Sequence, residues 1–279
     1  MSACAPPKAT STGPGRATIL GPMDVVLVRH AESIWNAESR WQGQTDVPLS
    51  DRGRGEAASL GARLGALTFD RRIVSDLART GATAAAIGGT FERDPAWREI
   101  DLGRWGGLLH TEVQEQFPDE LKAMIDGRDV ALGGGESVPG FEARANRALG
   151  ALIAAGREGE RALVVTHGGV IRAIVMHLLG VRGRRALIGA GNTSITHLRV
   201  IEGGISLVSY NCDAHLGREP DATDLVLAAG DAITGVTEHL ALSGTAGRLC
   251  TPRPRATTRI ALGAKGSMLR SYAVPALAE

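Results

Sequence analysis

Between residues 24 and 216, short apolar runs alternate with longer stretches in which apolar side chains recur every three or four positions. The short runs are rich in β-branched residues, which predicts strands at 24–29, 71–76, 162–167, 194–200 and 205–211. The helical periodicity predicts helices at 49–67, 77–87, 137–156 and 170–180. Ser50 is a suitable N-cap for the first helix. Strands that alternate with helices in this way indicate an α/β sandwich with a mostly parallel sheet.

The two ends of the chain lack this alternation. Residues 1–22 are rich in Pro, Gly, Ser, Thr and Ala and carry no acidic side chain, which predicts a disordered N-terminal extension. Residues 217–279 have mixed periodicity and finish in a basic stretch, which indicates a loosely ordered C-terminal extension of unknown role. The expected folded domain therefore spans residues 23–216.

Composition and charge narrow the classes of function. Apolar residues make up 43% and charged residues 22% of the 279 residues, as in ordinary globular proteins with a substantial core. The net charge of +1 argues against a globally basic nucleic-acid binder. The N-terminal stretch lacks the apolar run of a signal peptide, and no run of about 18 apolar residues could span a membrane. These features predict a cytoplasmic protein with no nucleic-acid or membrane partner.

Five short stretches place Arg, His and Glu at predicted strand ends and loops: LVRHAESIWN (27–36), SDLARTGATA (75–84), WREIDLGRWGG (97–107), GGGES (133–137) and VVTHGGVIRA (164–173). In the first and last of these, a strand ends in His30 or His167, at the sheet edge where open α/β folds bind ligands. Two glycines follow His167 and lead into a helix. Backbone N–H groups at the start of that helix would favour an anion.

Two histidines and two arginines, Arg29 and Arg79, would form a dense positive pocket if these strand ends meet. Converging cations repel one another unless an anion lies between them, and arginine can bind a phosphate dianion through two parallel hydrogen bonds. One neutral histidine could attack phosphorus while the other neutralises charge on the equatorial oxygens. Glu99 could protonate the leaving oxygen. The pattern therefore predicts phosphoryl transfer.

These residues occur in an order that resembles the histidine phosphatase superfamily, also called the phosphoglycerate-mutase-like family. The resemblance covers residues 24–216, essentially the whole predicted domain. It rests on the Arg-His pair at 29–30 with Asn36, the run QGQTDVPLSDRGRGEA, the stretch SDLARTGATA, Glu99 ahead of LGRWGG, and THGG at 166–169. An isolated Arg-His pair is common, whereas this ordered series is specific to the family.

The resemblance implies a phosphoglycerate-mutase-like fold, a three-layer sandwich in which a mixed, mostly parallel sheet is flanked by helices. It implies that His30 is the phosphorylated nucleophile and Glu99 the general acid/base, and that Arg29, Arg79 and His167 form the phosphate pocket. Further contacts to phosphate or substrate are implied for Asn36, Gln42, Gly43 and the backbone N–H of Gly168. No metal and no cofactor are expected, because the two histidines are far apart in sequence and no HExxH motif occurs.

The function expected from this resemblance is that of a metal-independent phosphomonoesterase. Its candidate substrates are small phosphorylated metabolites such as sugar phosphates, glucosyl-3-phosphoglycerate, α-ribazole phosphate and phosphoserine, with segment 108–140 as a lid that selects among them. The alternative is a 2,3-bisphosphoglycerate-dependent phosphoglycerate mutase. Such mutases carry a Tyr and basic groups after the acidic residue, where this chain has Asp101 and Leu102, and this difference favours the phosphatase. A catalytically silent binder is disfavoured because every catalytic residue type is present.

Several alternatives stay open at the level of sequence. Glu136 is expected to cap the helix that follows it, in preference to a chemical role. Asn192 and Thr193 are equally consistent with turn residues and with residues that line the pocket. His215 is interpreted as a structural capping residue. The strand pair at 194–211 could form a sheet edge that pairs with a second copy, so a homodimer is an open alternative.

Overall fold

The computed structural model describes residues 22–181, 187–202 and 204–217. The two predicted extensions, residues 1–22 and 217–279, lie outside these ranges except for Pro22 and Gly217 at their inner ends. The structural account therefore concerns the predicted domain, 23–216.

All five predicted strands and all four predicted helices are present, with ends that differ by a few residues. The strands are β1 (Met23–Arg29), β2 (Arg71–Val74), β3 (Glu92–Arg93), β4 (Arg161–Thr166), β5 (Ile195–Ile201) and β6 (Gly204–Cys212). The helices are α1 (Ile34–Ala37), α2 (Asp51–Leu64), α3 (Ala78–Ile87), α4 (His110–Gln116), α5 (Pro118–Ile125), α6 (Val138–Ala154) and α7 (Gly168–Leu178). No periodicity in the sequence marks β3 or the helices α1, α4 and α5, because elements of two to eight residues are too short to show one.

In the described residues the strands form one sheet in the order β3-β2-β4-β1-β5-β6. The pairs β2–β3, β2–β4 and β1–β4 are parallel, whereas β1–β5 and β5–β6 are antiparallel. The predicted mixed, mostly parallel sheet is thus confirmed. Because parallel strands end at the same edge, the residues that follow β1, β2 and β4 are brought side by side.

Successive side chains of β1 point to opposite faces of the sheet, and both faces are covered. Val25 and Leu27 lie in a core with apolar residues of α6 and α7, while Val26 and Val28 lie in a second core with α2 and α3. All four side chains are fully buried, which explains why the strand reads as a continuous apolar run. The arrangement confirms the predicted three-layer sandwich.

The ends of two helices are fixed by side-chain caps. Ser50 Oγ accepts a hydrogen bond from Gly53 N at 2.9 Å and is the predicted N-cap of α2. Ser137 Oγ accepts from Gly140 N at 3.3 Å and caps α6. Glu136, expected to cap α6, is therefore not its cap, because the residue that follows it has the extended backbone an N-cap requires.

Helix α7 begins two residues earlier than its apolar pattern predicts. Gly168 and Gly169 are already helical, and His167 is the N-cap with an extended backbone. Glycine is a poor helix former, so sequence analysis placed these two residues in a turn. The helix consequently starts directly at the end of β4, with its first N–H groups beside the histidine.

Segment 108–140, predicted as a lid, contains α4 and α5 and the start of α6. Together with Leu102 and Trp105 from the preceding loop, it builds a third apolar cluster that is separate from the two faces of the sheet. Val113, Leu121 and Leu132 are among its buried members. The segment is therefore a small packed unit with a core of its own.

Candidate active site

The carboxyl ends of β1 and β4 bring the two predicted catalytic histidines together. His30 N donates to Thr166 O at 2.9 Å, which continues the ladder between the two strands past their ends. The rings of His30 and His167 lie 5.2 Å apart between centroids at an angle of 61°. Both side chains are buried, with 3% and 0% exposure. The sequence prediction that these histidines share one edge is confirmed.

The proton of the His30 ring is placed by its neighbours. Nδ1 lies 2.8 Å from the carbonyl oxygen of Ala31, which can only accept, so Nδ1 carries the hydrogen. Nε2 lies 3.3 Å from Arg79 Nε, which can only donate, so Nε2 presents its lone pair. Burial, followed by the charges of Arg79 and Arg29, lowers the pKa of His30 well below its usual value. His30 is therefore a neutral imidazole with a lone pair on Nε2, the form that a nucleophile needs.

His167 is held in the opposite tautomer. Its Nδ1 lies 3.1 Å from Arg79 Nη2 and accepts from it, so Nε2 carries the hydrogen and donates to Ser75 Oγ at 2.9 Å. Burial, together with Arg79 and the neighbouring His30, lowers the pKa of His167 well below its usual value. Ser75 was not assigned a role from sequence. The signal for it was its position directly after β2, at the same edge as both histidines.

Arg79 lies between the two histidines and has no exposed surface. In addition to both rings, it donates to the carbonyl oxygens of Gly43 at 2.7 Å and Thr45 at 2.9 Å. Burial lowers the pKa of Arg79 to about 10, so the guanidinium stays charged at neutral pH. Gly43, expected to contact substrate, orients Arg79 through its carbonyl. Its φ of +54° and the close approach of Ile100 O, 3.0 Å from a built β-carbon, both favour glycine.

Arg29 supplies the second cation and carries a buried donor without an acceptor. Its Nη1 donates to Ala190 O at 2.7 Å, whereas its buried Nε has no hydrogen-bond partner among the described residues. A β-carbon built on Gly168 would lie 3.2 Å from that Nε, so the group lies against the start of α7. The first N–H groups of a helix also lack intrahelical acceptors. An unpaired buried N–H beside a helix N-terminus is the environment in which an anion binds.

The carboxylate of Glu99 lies at the same helix start. Its Oε2 accepts from Gly169 N at 2.9 Å, and its Oε1 accepts from the N–H of Ile100 at 2.9 Å. Gln44 Nε2 donates to the backbone oxygen of Glu99 at 3.1 Å. The structure therefore brings Glu99 to the N-terminus of α7, the helix that His167 caps.

A chain of amides and one hydroxyl supports the backbone of His30. Asn192 Nδ2 donates to His30 O at 3.1 Å and to Asn36 Oδ1 at 3.3 Å. Ser33 N donates to the same Asn36 oxygen at 3.2 Å, and Gln42 Nε2 donates to Ser33 Oγ. The roles left open for Asn192 were those of a turn residue and of a residue that lines the pocket; in the structure its amide supports the backbone of His30. Asn36 and Gln42 belong to the same chain, and their predicted contact with substrate stays a prediction.

Three other residues singled out from sequence make only structural contacts. His215 Nε2 lies 3.1 Å from Thr193 Oγ1 in the connection that leads to β5. Thr193 has a φ of +56°, which makes it a turn residue. Glu136 forms an ion pair with Arg144 at 2.7 Å.

The electrostatics of the site suit an anion. Within the described ranges, no group of three or more His, Cys, Asp or Glu side chains is arranged to hold a metal ion. The two guanidinium groups that flank His30 would repel a cation.

No helix in the described part of the chain combines the length and the apolar character needed to cross a bilayer.

Comparison with known proteins agrees with this geometry. A profile of the histidine phosphatase superfamily (branch 1) matches residues 25–213. A metal-independent phosphoserine phosphatase of Arabidopsis thaliana is 36% identical over 188 residues, which cover 63% of this chain and 76% of that protein. A probable phosphoglycerate mutase, GpmB, of Salmonella choleraesuis is 34% identical over 163 residues, which cover 57% of this chain and 75% of that protein.

A solved structure extends the likeness to the fold. It is a mycobacterial glucosyl-3-phosphoglycerate phosphatase in complex with VO3, 33% identical in sequence, with a TM-score of 0.56 over 63% of this chain and 92% of that chain. The matched profile covers most of the chain and includes every strand described above except the first two residues of β1. The family match and the similarity to named phosphatases identify the chain as a phosphoric monoester hydrolase. The chain therefore belongs to branch 1 of the histidine phosphatase superfamily.

Proposed function

We propose that the protein is a metal-independent phosphomonoesterase that acts through a phosphohistidine on a small phosphorylated metabolite. The observation that carries this proposal is the buried, unpaired Nε of Arg29 beside the start of α7, within the same site as the lone pair of His30 Nε2. A phosphoryl group placed there would give that N–H an acceptor, and would accept from Arg79 and from the N–H of Gly168.

In the first step, the lone pair of His30 Nε2 forms a bond to phosphorus while the ester P–O bond breaks. The electron pair of that bond goes to the leaving oxygen, which takes a proton from the carboxyl group of Glu99. Arg29 and Arg79 stabilise the charge on the equatorial oxygens, and the dianion would raise the pKa of His167 so that this ring also donates. The products are the free alcohol and a phosphohistidine.

In the second step, water attacks the phosphorus and gives a proton to the carboxylate of Glu99. The P–N bond breaks, and its electron pair returns to Nε2 of His30. Inorganic phosphate leaves, the carboxyl group is protonated again, and His30 is neutral. Each group is restored for the next cycle without an oxidant or a metal.

The relatives guide the choice of leaving group. Proteins similar to this chain are named as phosphatases of phosphoserine and of glucosyl-3-phosphoglycerate. We therefore propose substrates in the class of small phosphorylated metabolites, including these two, other sugar phosphates and α-ribazole phosphate. We propose a small-molecule phosphomonoester as the binding partner of this site.

The mutase alternative has the GpmB relative in its favour, while the loop after Glu99 supports the phosphatase. Leu102 is 3% exposed and packs in the third apolar cluster, so it offers no polar group to a substrate carboxylate. Asp101 Oδ1 accepts from Gly103 N at 2.9 Å and places negative charge in this loop. The second phosphate group that 2,3-bisphosphoglycerate carries would be repelled there.

The test is phosphate release from a panel of phosphomonoesters with a chelator present. The panel contains phosphoserine, glucosyl-3-phosphoglycerate, α-ribazole phosphate and simple sugar phosphates. Isomerisation of 3-phosphoglycerate is measured in parallel, with and without 2,3-bisphosphoglycerate. Phosphate release is expected, and its ranking across the panel identifies the leaving group. Cofactor-dependent isomerisation without phosphate release would overturn the proposal in favour of the mutase.

A further inference from the structure

The loop that carries Glu99 is held from one side by a single arginine of α6. Arg144 Nη1 donates to Ala96 O at 3.0 Å and to Arg98 O at 2.8 Å, and its Nη2 donates to Glu99 O at 3.1 Å. Its side chain is 19% exposed. Three backbone carbonyls within four residues thus share one guanidinium, and the last of them belongs to Glu99.

The other side of the same loop is held by Glu136, which is the ion-pair partner of Arg144. Arg144 donates to both carboxylate oxygens of Glu136, from Nε at 2.8 Å and from Nη2 at 2.7 Å. Glu136 Oε2 also accepts from Asp101 N at 3.0 Å, and Glu136 N donates to Asp101 O at 2.8 Å. The pair therefore binds the backbone at Glu99, through Arg144, and at Asp101, through Glu136.

Burial alone would raise the pKa of Glu136, but hydrogen bonds from Arg144 and from Asp101 N, together with the charge of Arg144, lower it below its usual value. Glu136 is therefore ionised at neutral pH. Arginine is required on the other side, because only its planar fork presents five N–H groups to several acceptors at once. A lysine keeps the charge and cannot bond all of these groups simultaneously.

We infer that Arg144 and Glu136 are positioning residues that fix where the Glu99 carboxyl group delivers its proton. The inference rests on the proposed role of Glu99 as the general acid. The Glu99 side chain is flexible and only half-buried, so its reach is set by its backbone and by the N–H groups that it accepts from. A shift of about 1 Å in such a group is sufficient to lower a rate strongly.

The experiment compares two esters that differ in their need for a proton. The leaving group of 2,4-dinitrophenyl phosphate departs as a stable anion, whereas the alkoxide of glycerol phosphate must be protonated. We measure kcat/KM, which contains only the steps up to departure of the alcohol, so that hydrolysis of the phosphohistidine does not enter. Arg144→Met is expected to lower kcat/KM for the alkyl ester about 100-fold and for the aryl ester by no more than about threefold. Arg144→Lys is expected to recover part of this loss.

Arg71→Met is the matched control. Arg71 is also partly buried, forms an ion pair with Glu160 and donates to the carbonyl of Leu152 on the same helix α6, at the opposite edge of the sheet. It is expected to affect both esters equally and weakly. Should Arg144→Met fail to fold, as judged by circular dichroism, Glu136→Gln provides the second variant, because it removes one charge and keeps the shape.

Glu99→Gln separates failure of this inference from failure of the proposed function. If Glu99→Gln lowers kcat/KM for both esters equally, Glu99 is not the general acid and the proposed mechanism falls. If Glu99→Gln is selective for the alkyl ester while Arg144→Met and Glu136→Gln slow both esters alike, the positioning role is refuted and the mechanism stands. In support of the inference, the double variant Arg144→Met with Glu99→Gln would be no slower on the alkyl ester than Glu99→Gln alone.

Discussion

The carboxylate of Glu99 occupies the space that a side chain on Gly169 would need. A β-carbon built on Gly169 would lie 2.1 Å from Glu99 Oε1, far inside van der Waals contact, while Gly169 N donates to Glu99 Oε2 at 2.9 Å. The need for glycine at the second glycine position of the THGG stretch thus comes from the nearby Glu99 carboxylate, and no turn is required to explain it. Alanine there would favour the helix and displace the carboxylate.

Gly169→Ala should therefore separate activity from stability. The displaced atoms are the end of a flexible side chain, so the fold is expected to tolerate the change, and alanine is the better helix former. Hydrolysis of an alkyl phosphate should fall at least about tenfold, since the proton donor is moved. Thermal unfolding and kcat/KM for glycerol phosphate measure the two effects.

Gly150→Ala is the matched control for that variant, because a β-carbon at this exposed position of α6 meets nothing within 4 Å. It should raise the free energy of unfolding by about 1 kcal/mol and leave activity unchanged. If Gly169→Ala retained full activity on the alkyl ester, Glu99 would not act from the position seen here.

His30→Ala should remove the covalent intermediate. With the native protein, rapid mixing with a radiolabelled phosphomonoester followed by alkaline quench should trap phosphate on the chain, and the variant should trap none. Turnover should fall by a factor of at least about 1,000, because the variant lacks the Nε2 atom that attacks phosphorus in the proposed mechanism. The exposed His177 on α7 provides the control variant His177→Ala. A phosphorylated His30→Ala protein would contradict the assignment.

The depressed pKa of each buried histidine predicts how both rings respond to acid. In ligand-free protein, the imidazole ¹⁵N resonances of His30 and His167 should still report neutral rings at pH 6, each in the single tautomer derived above. An unfolded chain protonates these rings near pH 6.5 and the folded chain does so only at lower pH. Folding therefore loses stability as the pH falls below about 6.5, by about 1.4 kcal/mol per pH unit for each histidine. A midpoint at or above 6.5 for either ring would refute the prediction.

Ser75→Ala should release the tautomer of His167. The change removes the acceptor of Nε2–H and leaves a buried donor unpaired, which costs about 1–3 kcal/mol of stability. Without Ser75, the tautomer with its hydrogen on Nε2 is held only by the hydrogen bond that Nδ1 accepts from Arg79, so its free-energy advantage over the Nδ1–H tautomer narrows. The ¹⁵N shifts of His167 should show a mixture of tautomers, and phosphate release should slow about tenfold. Unchanged shifts would mean that Arg79 alone fixes the ring.

Chelation should leave activity intact, because every charge in the proposed mechanism is supplied by side chains. Phosphate release is measured after dialysis against EDTA and again after addition of Mg²⁺, Mn²⁺ or Zn²⁺. A clear loss that one of these ions restores would show that a metal takes part and would require a different first step.

The fold and most of the site could be predicted from sequence, because each depends on local signals. The strand runs are apolar on both faces, and the residues that follow them, His30 and His167, inherit their position from the strand ends. Arg79 and Glu99 came from the ordered motifs. The side-chain hydroxyl of Ser75 also stood in such a motif, but nothing in the sequence shows which ring it would face.

The remaining parts depend on contacts between residues distant in sequence, which a single sequence does not show. Arg144 reads as one more exposed charge on an amphipathic helix, although it binds a loop 45 or more positions earlier. Gly43 orients Arg79 through its carbonyl, a contact that no side-chain pattern reveals, and its expected contact with substrate stays a prediction. Glu136 was expected to cap α6. It lies one residue before the N-cap Ser137 and forms an ion pair with Arg144.

The sheet order places β1 and β4, which are followed by the proposed nucleophile His30 and by His167, in the middle of six strands. The amide of His30 is bonded to the end of β4, so it can exchange its hydrogen for solvent only when the centre of the sheet opens. Glu99 lies outside the sheet, on a loop held by side chains. In the proposed mechanism, capture of the phosphoryl group should therefore persist until the sheet itself unfolds, whereas proton delivery by Glu99 should already be lost when its loop opens locally.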